Sequence, residues 1–112
     1  MITIYHNPKC AKSRETLKLL EERGVKPRII EYLKTQPSQT ELTRLLKMLG
    51  LTPGQLVRRK ELEYKRAKLD KATDAEILRA MIAHPILIER PIVVADGKAA
   101  LGRPPQNVLK IL

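Results

Sequence analysis

The sequence contains no tryptophan and no phenylalanine; its aromatic residues are Tyr5, Tyr32 and Tyr64. Readers of single-stranded nucleic acid stack bases on aromatic faces, so this composition argues against a base-stacking platform. A single cysteine, Cys10, excludes an internal disulfide framework and a cysteine-rich zinc site. The two histidines, His6 and His84, come with no carboxylates at ligand spacing, so no metal is expected. The longest apolar run, Pro85-Ile86-Leu87-Ile88, falls far short of the ~20 residues that cross a bilayer, and no membrane partner is expected. Met1-Ile2-Thr3-Ile4-Tyr5 has no charged region ahead of an apolar one, which reads as the absence of a signal peptide and predicts a cytoplasmic protein. Repeats and low-complexity tracts are also missing.

What is present is charge of one sign. Lys and Arg number 22 against 12 Asp and Glu, a formal net charge of +10. Such a field attracts anions: a small anionic substrate, an acidic protein surface, or nucleic acid, which comes last here. The densest basic stretch runs from Arg58 to Lys71; a solvated helix face accounts for it as readily as a binding role does. The chain is 43% hydrophobic over 112 residues, enough for a core and the usual size of one domain.

Ile2-Thr3-Ile4-Tyr5 predicts a strand ending in the loop His6-Asn7-Pro8-Lys9. Leu17, Leu19 and Leu20 then recur near helical period until Gly24, a natural stop. Arg28-Ile29-Ile30-Glu31-Tyr32 reads as a second strand, which completes a βαβ unit with a parallel pair. Ser38…Glu41, Thr52…Gln55 and Thr73…Glu76 are capping boxes that open three helices. Pro91-Ile92-Val93-Val94 predicts a strand, Asp96-Gly97 a hairpin turn, and Ala99-Ala100-Leu101 the return strand. A short helix follows from Gln106 to Leu112. The expected architecture is α/β, β-α-β … β-β-α, with a helical insertion at approximately 38–84 and residues 1–112 as a single domain.

Cys10 carries the most chemical information. It stands where a strand has ended and a helix begins, and the unpaired N–H groups and dipole of a helix start stabilise a thiolate. The same groups cradle oxyanions. Lys9, Lys12 and Arg14 are expected to add positive charge. A lone cysteine is ordinarily an inert core residue, but the polar neighbours His6, Asn7, Lys9, Lys12 and Ser13 favour an accessible, reactive one. Cys10-Ala11-Lys12-Ser13 is C-x-x-S, so any redox cycle must take its second thiol from outside the chain. His6 is either a base for Cys10 or a residue that orders the loop; His84 reads as a helix C-terminal cap.

Several segments resemble the glutaredoxin-coupled arsenate reductase family: Tyr5-His6-Asn7-Pro8-Lys9-Cys10-Ala11-Lys12-Ser13-Arg14, His84-Pro85-Ile86-Leu87-Ile88-Glu89-Arg90-Pro91, Leu101-Gly102-Arg103-Pro104 and Leu56-Val57-Arg58-Arg59. The resemblance implies a thioredoxin-like fold with a small mixed sheet, and Cys10 as the nucleophile toward arsenate. It further implies Arg58, Arg90 and Arg103 as oxyanion-binding residues, a cis peptide before Pro91, and supporting places for His6, Asn7 and Ser13. Guanidinium forks suit this substrate because they contact two oxygens of a tetrahedral anion and keep their charge. No bound cofactor is implied; glutathione is the co-substrate that attacks the cysteine–arsenic adduct, and glutaredoxin resolves the mixed disulfide and releases arsenite. Gly102 stands where some members carry a second cysteine. The rival readings are a redox-responsive transcription regulator that binds RNA polymerase, against which Ser13 argues, and a monothiol oxidoreductase with another substrate, which would not need three arginines.

Overall fold

The computed structural model describes every residue from Met1 to Leu112. Four strands, β1 (Ile2–Tyr5), β2 (Arg28–Ile30), β3 (Ile92–Ala95) and β4 (Lys98–Leu101), form one sheet in the order β2-β1-β3-β4. β1 and β2 are parallel and are connected through helix α1 (Ala11–Glu22), as a βαβ crossover requires. The pairs β1–β3 and β3–β4 are antiparallel, so the sheet is mixed. This is the thioredoxin-like arrangement.

Two units make up the chain: Met1–Thr35 with Arg90–Leu112, and Gln36–Glu89. In the first, Ile4 and Val93 are cross-strand partners and both are fully buried. Leu20 of α1 and Val108 of the C-terminal segment complete that apolar cluster. Burying each such side chain contributes about 1.5–3 kcal/mol, which fixes α1 against the sheet and so fixes its first residue.

The hairpin turn between β3 and β4 follows its sequence closely. Asp96 and Gly97 have φ of 49° and 80°, the positive pair that a two-residue turn of matching twist needs. Two elements differ from expectation. β2 ends at Ile30 rather than Tyr32, because the chain turns there and the amides of Lys34 and Thr35 both bond the Glu31 carbonyl. The C-terminal segment Pro105–Ile111 winds as a 3₁₀ helix, with Asn107 N–H bonding Pro104 O at 3.0 Å. The bonds before Pro91 and Pro104 are both cis.

The second unit contains α2 (Gln39–Leu49), α3 (Pro53–Leu56), α4 (Leu62–Arg66) and α5 (Asp74–Ala83). Ser38 Oγ accepts from Glu41 N–H at 3.1 Å, and Thr73 and Glu76 bond reciprocally. Gln55 Oε1 accepts from Thr52 N–H at 2.9 Å. Leu42, Leu56, Met81 and Leu87 are buried to 0% exposure within this unit. Val57 pairs with Ile88, and Pro85–Leu87 adds a 3₁₀ turn after His84, which is the C-cap of α5 and bonds Ala80 O through its amide. The basic stretch from Arg58 to Lys71 is not one helix face: it divides into α4 and a 3₁₀ turn, Leu69–Lys71. No helix is long and apolar enough to cross a membrane.

Candidate active site

Sheet register determines which loops meet. Tyr5, the last residue of β1, pairs with Ile92, the first of β3, and Ile92 pairs in turn with Leu101, the last of β4. The chain leaving β1 at His6, the chain entering β3 at Arg90-Pro91 and the chain leaving β4 at Gly102-Arg103 therefore share one end of the sheet. Cys10, Arg90 and Arg103 converge there although they lie far apart in sequence.

Cys10 is the N-cap of α1, extended at φ −96° and ψ 124°, and half-buried. Its amide bonds Asn7 O at 3.0 Å and its carbonyl accepts from Arg14 N–H, so its backbone is fixed on both sides. Burial pushes the thiol pKa up; hydrogen bonds from the Ser13 amide and the Arg90 side chain, the Arg90 charge and the Lys12 amide outweigh it and hold the pKa below the usual cysteine value. The thiolate is thus stabilised by the α1 start and by a buried guanidinium, as the physics of helix ends anticipates.

Arg103 adds a second cation. Its Nη2 lies 3.9 Å from Cys10 Sγ, while its Nε donates to the Arg90 carbonyl at 2.8 Å. Asn107 Nδ2 donates to the Arg103 carbonyl at 2.8 Å, tying the backbone of this arginine to the C-terminal helix. Asn107 carries no sequence signal of its own; only its contact reveals it. Two of the three cations expected from the local sequence have side-chain partners elsewhere. Arg14 Nη1 is spent on Pro8 O at 2.9 Å, and Lys12 lies 3.9 Å from Glu15. The positive charge at Sγ is delivered by Arg90 and Arg103 instead.

Below the cysteine, a buried polar network orders the loop. Ser13, fully buried, accepts from Asn7 N–H at 3.0 Å, and its Oγ lies 2.6 Å from His6 Nδ1. Asn7 Oδ1 accepts from Lys9 N–H at 3.0 Å, closing an Asx turn ahead of Cys10. His6 is anchored by its amide to Ile30 O, and burial is the main cause holding its pKa below the ordinary value; Glu31 opposes this and Arg14 assists. His6, Asn7 and Ser13 together shape the loop that presents Cys10.

Arg58 belongs to the second unit. Its Nε is 3.3 Å from Glu61 Oε1 and its Nη1 is 3.9 Å from Glu89 Oε1, so two carboxylates of that unit surround it. Its neighbour Arg59 turns toward Tyr64 and Gly54. No group of three or more His, Cys, Asp or Glu side chains is placed to hold a metal ion.

Residues 5–111 match the model of the ArsC family. The chain is 48% identical to an arsenate reductase of Haemophilus influenzae, over 99% of this chain and 98% of that one. It is 49% identical to the uncharacterized protein YfgD of Escherichia coli, over 99% and 96% of the two chains. Its structure superposes on an arsenate reductase from Vibrio cholerae with a TM-score of 0.96 at 53% identity, covering 99% of this chain and 97% of the other. With the family pattern matched from Tyr5 to Ile111 and near-complete coverage at about half identity, the chain belongs to the ArsC family.

Proposed function

We propose that this protein reduces arsenate to arsenite, with Cys10 as nucleophile and glutathione and glutaredoxin as the source of reducing equivalents. The observation that carries the reading is the Cys10 thiol at a helix start, hydrogen-bonded by Arg90 and 3.9 Å from Arg103 Nη2. A thiolate and a tetrahedral oxyanion repel each other. Two fixed guanidinium groups beside Sγ lower that barrier by neutralising oxyanion charge where the sulfur attacks. Arg58 is proposed as a third oxyanion ligand on the strength of the family resemblance.

Cys10 Sγ forms a bond to arsenic and one arsenate oxygen leaves as water. Glutathione then attacks the adduct. Two thiol sulfurs give up the two electrons that take arsenic from As(V) to As(III), and they end as a disulfide between Cys10 and glutathione. Glutaredoxin clears this disulfide as arsenite is released. An outside thiol is required because the chain has one cysteine and Ser13 is buried in the loop network. Glutathione, small and anionic, suits a cationic site, and the cytosol, where thiols are kept reduced, suits the cycle.

A coupled assay with arsenate, glutathione, glutaredoxin and NADPH tests the activity, and Cys10→Ser should abolish it. Omitting glutaredoxin should leave protein with one glutathione-derived adduct at Cys10, visible by intact mass and cleared when glutaredoxin is added. Sustained turnover on thioredoxin alone, without glutathione, would overturn the mechanism while leaving the arsenate reductase reading intact.

A further inference from the structure

The second unit carries a concentration of charge that the arsenate chemistry does not use. From Lys60, just ahead of α4, to the end of the turn after it, Lys60, Lys65, Arg66, Lys68 and Lys71 are all exposed, and none of them makes an ion pair. The carboxylates of the stretch do not cancel them: Glu61 is committed to Arg58, which leaves Glu63 and Asp70. Lys68 adopts φ 54°, a left-handed conformation rare for a lysine, and it lies on the rims of two adjoining hollows. One hollow, about 390 Å³, is bounded by Arg59, Tyr64, Lys65 and Asp70; the other, about 430 Å³, by Lys71, Glu76 and Arg79.

The surface also has a preformed centre. The Arg59 guanidinium lies 5.9 Å from the Tyr64 ring centroid, with Nη1 donating to Tyr64 Oη at 3.3 Å and Nη2 to Gly54 O at 3.1 Å. An arginine already held in place loses little freedom on binding, and arginine is enriched at the energetic centres of protein interfaces. Leu62, the first residue of α4, is 54% exposed, and helical spacing puts it on the same face as Lys65 and Arg66 one turn later. We infer that this face, centred on Arg59, Leu62 and Lys68, docks an acidic protein segment that carries an apolar contact for Leu62.

Nucleic acid fits the same face poorly. The five-residue α4 is too short to enter a major groove as a recognition helix, and Tyr64 is covered and offers no open face for base stacking.

The test is fluorescence anisotropy with a labelled peptide of glutamates flanking a pair of leucines, measured alongside a labelled DNA duplex. Lys65→Glu with Lys68→Glu and Lys71→Glu should weaken peptide binding at least about tenfold. Reversing three exposed cations of the first unit, Lys18, Arg23 and Lys26, should change it far less. Leu62→Ser changes no charge and should also weaken the peptide severalfold, a readout that overall charge cannot mimic. Equal losses from the two charge-reversed proteins, or no loss from Leu62→Ser, would overturn the proposal. Duplex binding tighter than peptide binding, lost in the same α4 variants, would overturn the assignment of an acidic protein partner.

Discussion

Arg103 Nε donates to the backbone carbonyl of Arg90 at 2.8 Å, so the main chain of one arginine aims the side chain of the other. Nη2 of Arg103 is thereby left 3.9 Å from Cys10 Sγ, with Asn107 bracing the Arg103 carbonyl from behind. A lysine in this place has one terminal ammonium and cannot bond the carbonyl and face the sulfur with separate nitrogens. Arg103→Lys should therefore reduce kcat/KM for arsenate by about 10–100-fold, the loss of one or two charge-assisted contacts. Steady-state kinetics checks this. A variant with unchanged kcat/KM would show that charge alone suffices at this position.

Thiolate formation at Cys10 depends on Arg90 and on the amides of Ser13 and Lys12, which outweigh the burial that opposes it. The rate of iodoacetamide alkylation against pH should show a midpoint below the value of about 8.5 for a free cysteine. Arg90→Gln removes one of those supports and should move the midpoint upward, with the amides retaining part of the shift. Circular dichroism on the same sample separates this from unfolding, since Arg90 is buried.

His6 gives the fold a pH dependence of definite sign. Burial disfavours its charged form in the folded state, so below about pH 6.5 the unfolded chain binds a proton that the folded chain refuses. Stability from this residue is full above that pH, falls as pH drops toward the lowered folded value, and levels off beneath it. Thermal melts between neutral and mildly acidic pH should show that decline, and His6→Gln should flatten it.

Gly102 is required by space. A Cβ there would collide with Thr16 Oγ1 and come within 2.7 Å of Pro91 Cγ. Thr16 is fully buried and its hydroxyl is bonded to Lys12 O at 2.8 Å, so it cannot swing away at no cost. Gly102→Ala should destabilise the protein by about 1–3 kcal/mol, the usual cost of overpacking. Urea denaturation would measure it, and Gly102→Ala with Thr16→Ala should cost less than the sum of the two single changes.

Much of the fold was legible in the sequence because its signals are local. The capping pairs Ser38/Glu41 and Thr73/Glu76 satisfy helix ends within four residues, and Asp96-Gly97 supplies the positive φ that its turn needs. The place of Cys10 at a helix start is of the same kind, since a strand, a loop and an apolar period in immediate succession locate it. Less legible was the winding of Pro105–Ile111, since an apolar pattern over seven residues does not separate 3₁₀ from α bonding.

The cations at the thiol belong to the other category. Lys9, Lys12 and Arg14 are the neighbours in sequence, yet Arg14 faces Pro8 and Lys12 pairs with Glu15. Arg103, 93 residues away from Cys10, places its Nη2 3.9 Å from the sulfur, and Arg90 hydrogen-bonds the same thiol. The sequence by itself determined that a cysteine would cap α1 and that arginines would stand beside Pro91 and Pro104. Only the tertiary structure decided which of the 22 cations act on the sulfur. The physical reason is the register of the sheet: Tyr5 pairs with Ile92 and Ile92 with Leu101, so the loops beyond those residues are brought to one end. Strand pairing at long separation is fixed by burying Ile4 and Val93 together with Leu20 and Val108, a cooperative packing that no local stretch of chain encodes.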